Sequence, residues 1–142
     1  MSKYLDRAKE IRAIVEPHHN CAQSVLMSFN KDAGISDELA YKMGACFGLG
    51  MKSGGTCGVI TGALMLLGLY GVDDNATTKA LVDFFKQKHD GMVNCADLLR
   101  VNCADLLRVN AEHGGERKPH CDALVYEMVE YVENLLRERG KI

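Results

Sequence analysis

The chain has 142 residues, 47% of them hydrophobic and 25% charged, with a formal net charge of −2. That length suits one domain with a buried core, and the balance is that of a globular protein rather than a disordered or fibrous one. No block of Lys or Arg could track phosphates, which argues against a nucleic-acid binder.

The start, MSKYLDRAKE, is charged and amphipathic, unlike a secretory signal, so a cytoplasmic location is expected. Residues 2–16 read as a first helix with an apolar stripe of Tyr4, Ala8, Ile11 and Val15, stopped by Pro17. After His18, His19 and Asn20 comes a second helix, CAQSVLMSFN, and then a turn over residues 31–34. Ser36 is placed to cap a third helix, with Asp37 and Glu38 in its first turn where they suit the helix dipole. Leu39, Ala40, Met43, Cys46 and Phe47 would form its apolar face.

A glycine-rich stretch follows, with Gly48, Gly50, Gly54 and Gly55. Thr56 can cap a helix beginning at Cys57 and ending at Gly71. Residues 53–72 carry no charge, but their polar SGGT start leaves an apolar run shorter than the ~20 residues of a membrane span. A helix buried in a bundle is therefore expected, with no membrane span. Gly58 and Gly62 lie one turn apart on it, so a neighbouring helix can approach closely. Asp74 or Asn75 opens another helix through Leu81, Phe84 and Phe85 to about His89, and a short helix is expected near CADLLR. Gly114 and Gly115 suggest a loop, and Pro119 suits the start of a last helix with a stripe of Cys121, Leu124, Met128, Tyr131 and Leu135. Glu127, Glu130 and Glu133 would be its solvated face. No stretch alternates as a strand does. The expected fold is all-α: one domain over residues 1–142, a bundle of five or more helices around the buried glycine-containing helix.

Residues 93–100 and 101–108 both read VNCADLLR. Eight residues at 100° each overshoot two turns by ~80°, so the copies cannot present one face of a single straight helix. Cys95 and Cys103 thus compete for one role, and one octad should be dispensable.

The chemistry lies with the six cysteines, Cys21, Cys46, Cys57, Cys95, Cys103 and Cys121. In a cytoplasmic protein such thiols serve metal binding, catalysis or packing rather than structural disulfides. All but Cys46 fall at expected helix starts, where free N–H groups and the dipole favour thiolate over thiol. Several thiolates together would repel unless a cation or iron–sulfur core sat between them, so converging helix starts suit a metal centre or a reactive thiol pair. No C-x-x-C is present, and any shared site must be assembled by the fold. His18, His19 and His120 adjoin Cys21 and Cys121 and could ligate or donate protons, or simply be exposed.

Four segments, NCAQSVL at Cys21, CGVITGALMLLGL from Cys57, GMVNCADLL at Cys95 and HCDALV at Cys121, carry a resemblance that runs over nearly the whole chain. The chain resembles the C-GCAxxG-C-C family of redox-active proteins, which is related to the iron–sulfur domain of split-Soret cytochromes. Val59 stands where the CGAxxG motif has Ala, the octad makes the third cysteine ambiguous between Cys95 and Cys103, and Cys46 matches no family cysteine. The resemblance implies a cluster, [2Fe–2S] in first place, held by Cys21, Cys57, Cys95 and Cys121 in one cavity and exchanging electrons with a redox partner protein. A thiol–disulfide oxidoreductase and a zinc tetrathiolate are the alternatives. No C-x-x-C-H haem signature is present. The oligomeric state is open, a homodimer included.

Overall fold

The computed structural model describes residues 2–99 and 103–142, with side chains for all of these except Leu99 and residues 103–119. The protein is all-α. Its helices are α1 (Lys3–Ala13), α2 (Cys21–Phe29), α3 (Asp37–Gly44), α4 (Gly58–Leu69), α5 (Asn75–Lys88), α6 (Cys95–Leu99) and α7 (Cys103–Glu138). Among the described residues there is no strand, only an isolated antiparallel bridge between Thr56 and Asn94, and no helix is long and apolar enough to cross a membrane.

Local caps set most helix starts. Ser2 Oγ accepts from the Leu5 N–H at 3.0 Å. Asn20 and Gln23 exchange side-chain-to-backbone hydrogen bonds of 2.8 Å each, a reciprocal capping box that fixes the start of α2. Ser36 caps α3 and Asp74 caps α5. The first helix ends at Ala13, earlier than expected, because Pro17 and its restricted predecessor are incompatible with continuing the helix. Val15 therefore leaves the stripe and is 81% exposed. The inward face of α1 is Tyr4, Ala8, Ile11 and, in Val15's stead, Arg12.

The helix α2 is buried along almost its whole length and touches α1, α3, α4 and α7. Its closest neighbours are glycines. A Cβ on Gly62 would lie 2.7 Å from the Ala22 carbonyl oxygen, one on Gly58 2.9 Å from the Ala22 nitrogen, and one on Gly44 2.8 Å from Gln23 Cγ. The third helix consequently buries Ala40 and Gly44 rather than the expected broad apolar face: Leu39, Met43 and Cys46 are exposed, because only small residues permit this approach. The core joins Phe29, Leu26, Ile60, Leu66, Leu67, Leu81, Phe85, Met128 and Leu136 in one cluster, with Tyr4 stacked on Phe29 at 4.3 Å.

The last helix differs most from expectation. It runs unbroken for 36 residues through Gly114, Gly115 and Pro119. In a helix interior each of those glycines costs about 1 kcal/mol and the proline about 3 relative to Ala. The helix beyond residue 120 is held by packing, and extending a formed helix lacks the large cost of starting one. Its buried stripe is Cys121, Leu124, Val125, Met128, Val129, Val132 and Leu136, with Tyr131 and Leu135 half-buried. Glu127 and Glu133 are not simply solvated. Glu127 pairs with His89 at 2.8 Å, and Glu133 accepts from Ser2 Oγ and pairs with Arg137. The first octad copy supplies α6 and the second begins α7. The junction between the copies and the Cys103 side chain lie outside the described residues, and with them the expectation that one copy is idle.

Candidate thiol site

Each cysteine of the expected set comes from a different helix. Cys21 is the first residue of α2, directly after its Asn20 cap. Asn20 also donates from Nδ2 to the Gly44 carbonyl at 2.9 Å, tying this helix start to the end of α3. Cys57 is itself the N-cap residue of α4, a position expected for Thr56. Cys95 is the first residue of α6. Cys121 is buried inside α7, not at a helix start, because that helix begins well upstream.

Two backbone hydrogen bonds join the second and third cysteines. The Cys57 N–H donates to the Val93 carbonyl at 2.8 Å and the Cys95 N–H donates to the Gly55 carbonyl at 2.7 Å, flanking the Thr56–Asn94 bridge. The approach to Cys57 is an unusual turn. Leu49, Gly50, Met51 and Lys52 all take left-handed backbone angles, with φ of 56°, 61°, 59° and 61°. Non-glycine residues in that region cost of order 1 kcal/mol or more each. Gly50 is needed there, because a Cβ would overlap the Gly55 carbonyl. The turn touches both α6 and α7, so it carries the chain from α3 to Cys57 while facing the helices of Cys95 and Cys121.

The four sulfurs act on one another. Interaction with the neighbouring Cys121 thiol, then burial, then repulsion from Cys121 and Cys57 raise the Cys21 pKa well above the ordinary thiol value. Arg12 opposes the rise. Burial pushes Cys57 up to about 12, against the helpful Val59 N–H, with Cys95 and Cys121 adding repulsion. The expectation that helix starts lower these pKa values is therefore corrected for both residues. Desolvation and crowding by like groups outweigh the helix N–H groups when no cation is present. Cys46 is exposed.

Beside the Cys21–Cys121 pair lies an ion pair that the sequence reading missed. Arg12 is 4% exposed. Its Nε donates to Asp122 Oδ1 at 2.5 Å, and its Nη1 donates to the His19 carbonyl at 2.8 Å and to Ser24 Oγ at 3.3 Å. Burial disfavours the guanidinium charge, but the Cys21 sulfur, Asp122 and the Cys121 sulfur hold its pKa above the ordinary value. The spacing of four from Tyr4 through Ala8 to Arg12 was the available signal. Of the three histidines, His18 and His120 are exposed. His19 is buried edge-on to Tyr41 at 5.1 Å, and its Nδ1 has no hydrogen-bond partner among the described residues.

A family model described as "Putative redox-active protein (C_GCAxxG_C_C)" matches residues 19–135. The chain belongs to this family. No curated protein and no solved structure matches it. The matched span of the C_GCAxxG_C_C protein includes Cys21, Cys57, Cys95 and Cys121 together with Asp122, and leaves Arg12 outside. The donor set is soft and of one kind, the set that a zinc tetrathiolate or an iron–sulfur centre takes. Among the described residues, however, no three His, Cys, Asp or Glu side chains converge on the place of a single metal ion.

Proposed function

We propose that this redox-active protein is an electron carrier whose thiols Cys21, Cys57, Cys95 and Cys121 hold an iron–sulfur cluster of the [2Fe–2S] type. The observation that carries the reading is the convergence of the four cysteine-bearing segments: the segments of Cys57 and Cys95 are paired through one backbone bridge, α2 packs on both α4 and α7, and the turn before Cys57 touches α6 and α7. Two pairings of the sulfurs are the strongest, though Cys57 also acts on Cys21 and feels Cys121. Cys21 feels Cys121 first, while Cys57 feels Cys95 more strongly than Cys121, and the segments of Cys57 and Cys95 are paired through backbone hydrogen bonds. A rhombic two-iron centre takes two protein thiolates per iron, so pairs suffice. A mononuclear tetrathiolate needs all four around one ion, for which the described donors are not arranged. Such a centre supplies one-electron transfer at a potential set by its surroundings.

The chain's own contribution is to hold and desolvate the ligands. Glycines let α2 and α4 close on each other, so that Cys21 Cβ would be only 3.3 Å from a Cβ at Gly58. The Val59 and Ile60 N–H groups favour a charged Cys57 sulfur and so would stabilise it as a ligand. Burial and repulsion keep Cys21 and Cys57 protonated without a cation, so loading would release protons. A redox partner protein would exchange the electron.

The nearness of the Cys21 and Cys121 thiols, which act on each other, favours a second reading, a dithiol–disulfide couple between those two residues. Anaerobic purification followed by iron and acid-labile sulfide analysis separates the readings. Visible colour with iron and sulfide in equal amounts is expected. Each of Cys21→Ser, Cys57→Ser, Cys95→Ser and Cys121→Ser should lower the iron content several-fold, whereas exposed Cys46→Ser should leave it unchanged. Colourless protein with a reversible Cys21–Cys121 disulfide would overturn the cluster in favour of the dithiol.

A further inference from the structure

We infer that the buried Arg12–Asp122 pair is a positioning and potential-setting element of the thiol site, with Arg12 favouring the reduced, more negative state and Asp122 opposing it. The inference rests on the cluster reading above, and goes beyond it in assigning roles to residues that hold no metal.

The geometry has two parts. First, Arg12 fastens three segments that must meet for the site to exist. It lies on α1, bonds Ser24 inside α2 and the His19 carbonyl just ahead of that helix, and holds Asp122, the residue after Cys121 on α7. Arg12 thus ties the segment that carries Cys21 to the one that carries Cys121. A lysine ammonium is a single point charge and cannot span these acceptors as the guanidinium fork does.

Second, the charges are placed where water cannot screen them. The Arg12 side chain is 3% exposed and that of Asp122 19% exposed, so their fields reach the neighbouring sulfurs at far less than bulk screening. Reduction takes one electron from the partner protein into the site. The partner is oxidised, the site gains one negative charge, and no bond or proton need move. A fixed positive charge beside Cys21 and Cys121 stabilises that added charge, and a fixed negative charge destabilises it. The ion pair is not neutral in effect, because its two charges sit at different places: Asp122 directly follows Cys121, while Arg12 reaches across to the His19 carbonyl and Ser24 on the Cys21 segment.

The test uses full-length wild type, Arg12→Met, Arg12→Lys and Asp122→Asn, each loaded anaerobically with ferrous iron and sulfide. Midpoint potentials are read by dithionite titration with mediator dyes, and iron content is measured alongside. Arg12→Met should move the potential down, Asp122→Asn should move it up, and Arg12→Lys should stay nearer wild type while holding less iron. Opposite displacements are the signature, since loss of a purely structural clamp would move both variants the same way or neither. If Arg12→Met fails to fold, Asp122→Asn and Arg12→Lys still decide. Loaded variants with the wild-type potential would overturn the inference alone. A wild-type protein that takes up no iron and sulfide would overturn the cluster reading and this inference with it.

Discussion

The reduced, metal-free protein should lose stability steeply as pH rises from about 9 towards 12. Cys57 has its pKa pushed up to about 12 by burial, from an ordinary value near 9. Between those values the folded thiol keeps its proton while the unfolded one has lost it. The native state therefore binds more protons, and stability falls as pH rises through that window; it is fully present below the unfolded pKa. At about 1.4 kcal/mol per pKa unit, Cys57 alone accounts for roughly 4 kcal/mol, a large share of the 5–15 kcal/mol that holds a typical domain folded. Cys21 shifts in the same direction, chiefly through its interaction with the Cys121 thiol. Urea unfolding with a phosphine reductant and a chelator, at pH 8 and pH 11, captures the first two pH units of that loss, roughly 3 kcal/mol from Cys57. Loading with iron and sulfide should remove the thiols' share of it, because bound thiolates have no proton left to lose, and leave the smaller share of Tyr4 and Tyr70, whose pKa values burial also raises. An equally large loss in the loaded protein would show that these thiols are not its source.

Gly62→Leu should destabilise the protein by at least about 1–3 kcal/mol, the usual cost of overpacking. The obstruction is backbone: a Cβ at this position would sit 2.7 Å from the Ala22 carbonyl oxygen and 3.1 Å from Ala22 Cα. Neither can swing aside as a side chain would, so α2 and α4 must part, and Cys21 moves with α2. Gly68 on the same helix is the control. A Cβ there would meet nothing within 4 Å, so Gly68→Ala should be neutral or stabilise by up to about 1 kcal/mol through helix propensity. Thermal unfolding of the two variants against wild type is sufficient. A Gly62→Leu protein as stable as the parent would mean that the two helices do not touch as described.

What could be read in the sequence was local. Asn20 with Gln23, and Ser36 ahead of Asp37 and Glu38, announce helix starts because capping acts over three or four residues. The close approach at Gly58 and Gly62 was legible because both glycines fall on one helical face. What could not be read depended on distant partners. Arg12 meets Asp122 across 110 residues of chain, and no spacing rule joins them. The hydrogen bonds that seat Cys57 beside Cys95 are likewise between remote backbone groups. The left-handed turn was hinted at by its glycines, but Leu49, Met51 and Lys52 share that conformation without any residue signal. The sign of the thiol pKa shifts was misjudged for the same reason. A helix start favours the thiolate locally, whereas desolvation is a property of everything packed around it, and at Cys57 the packing prevails.

Diffraction at the iron absorption edge, from crystals of anaerobically purified protein, would locate the centre itself. The expected anomalous map has one strong feature per chain, bounded by the sulfurs of Cys21, Cys57, Cys95 and Cys121, with Cys46 remote from it. An iron feature bounded by other residues, or four sulfurs dispersed over separate faces of the bundle, would contradict a shared thiol site.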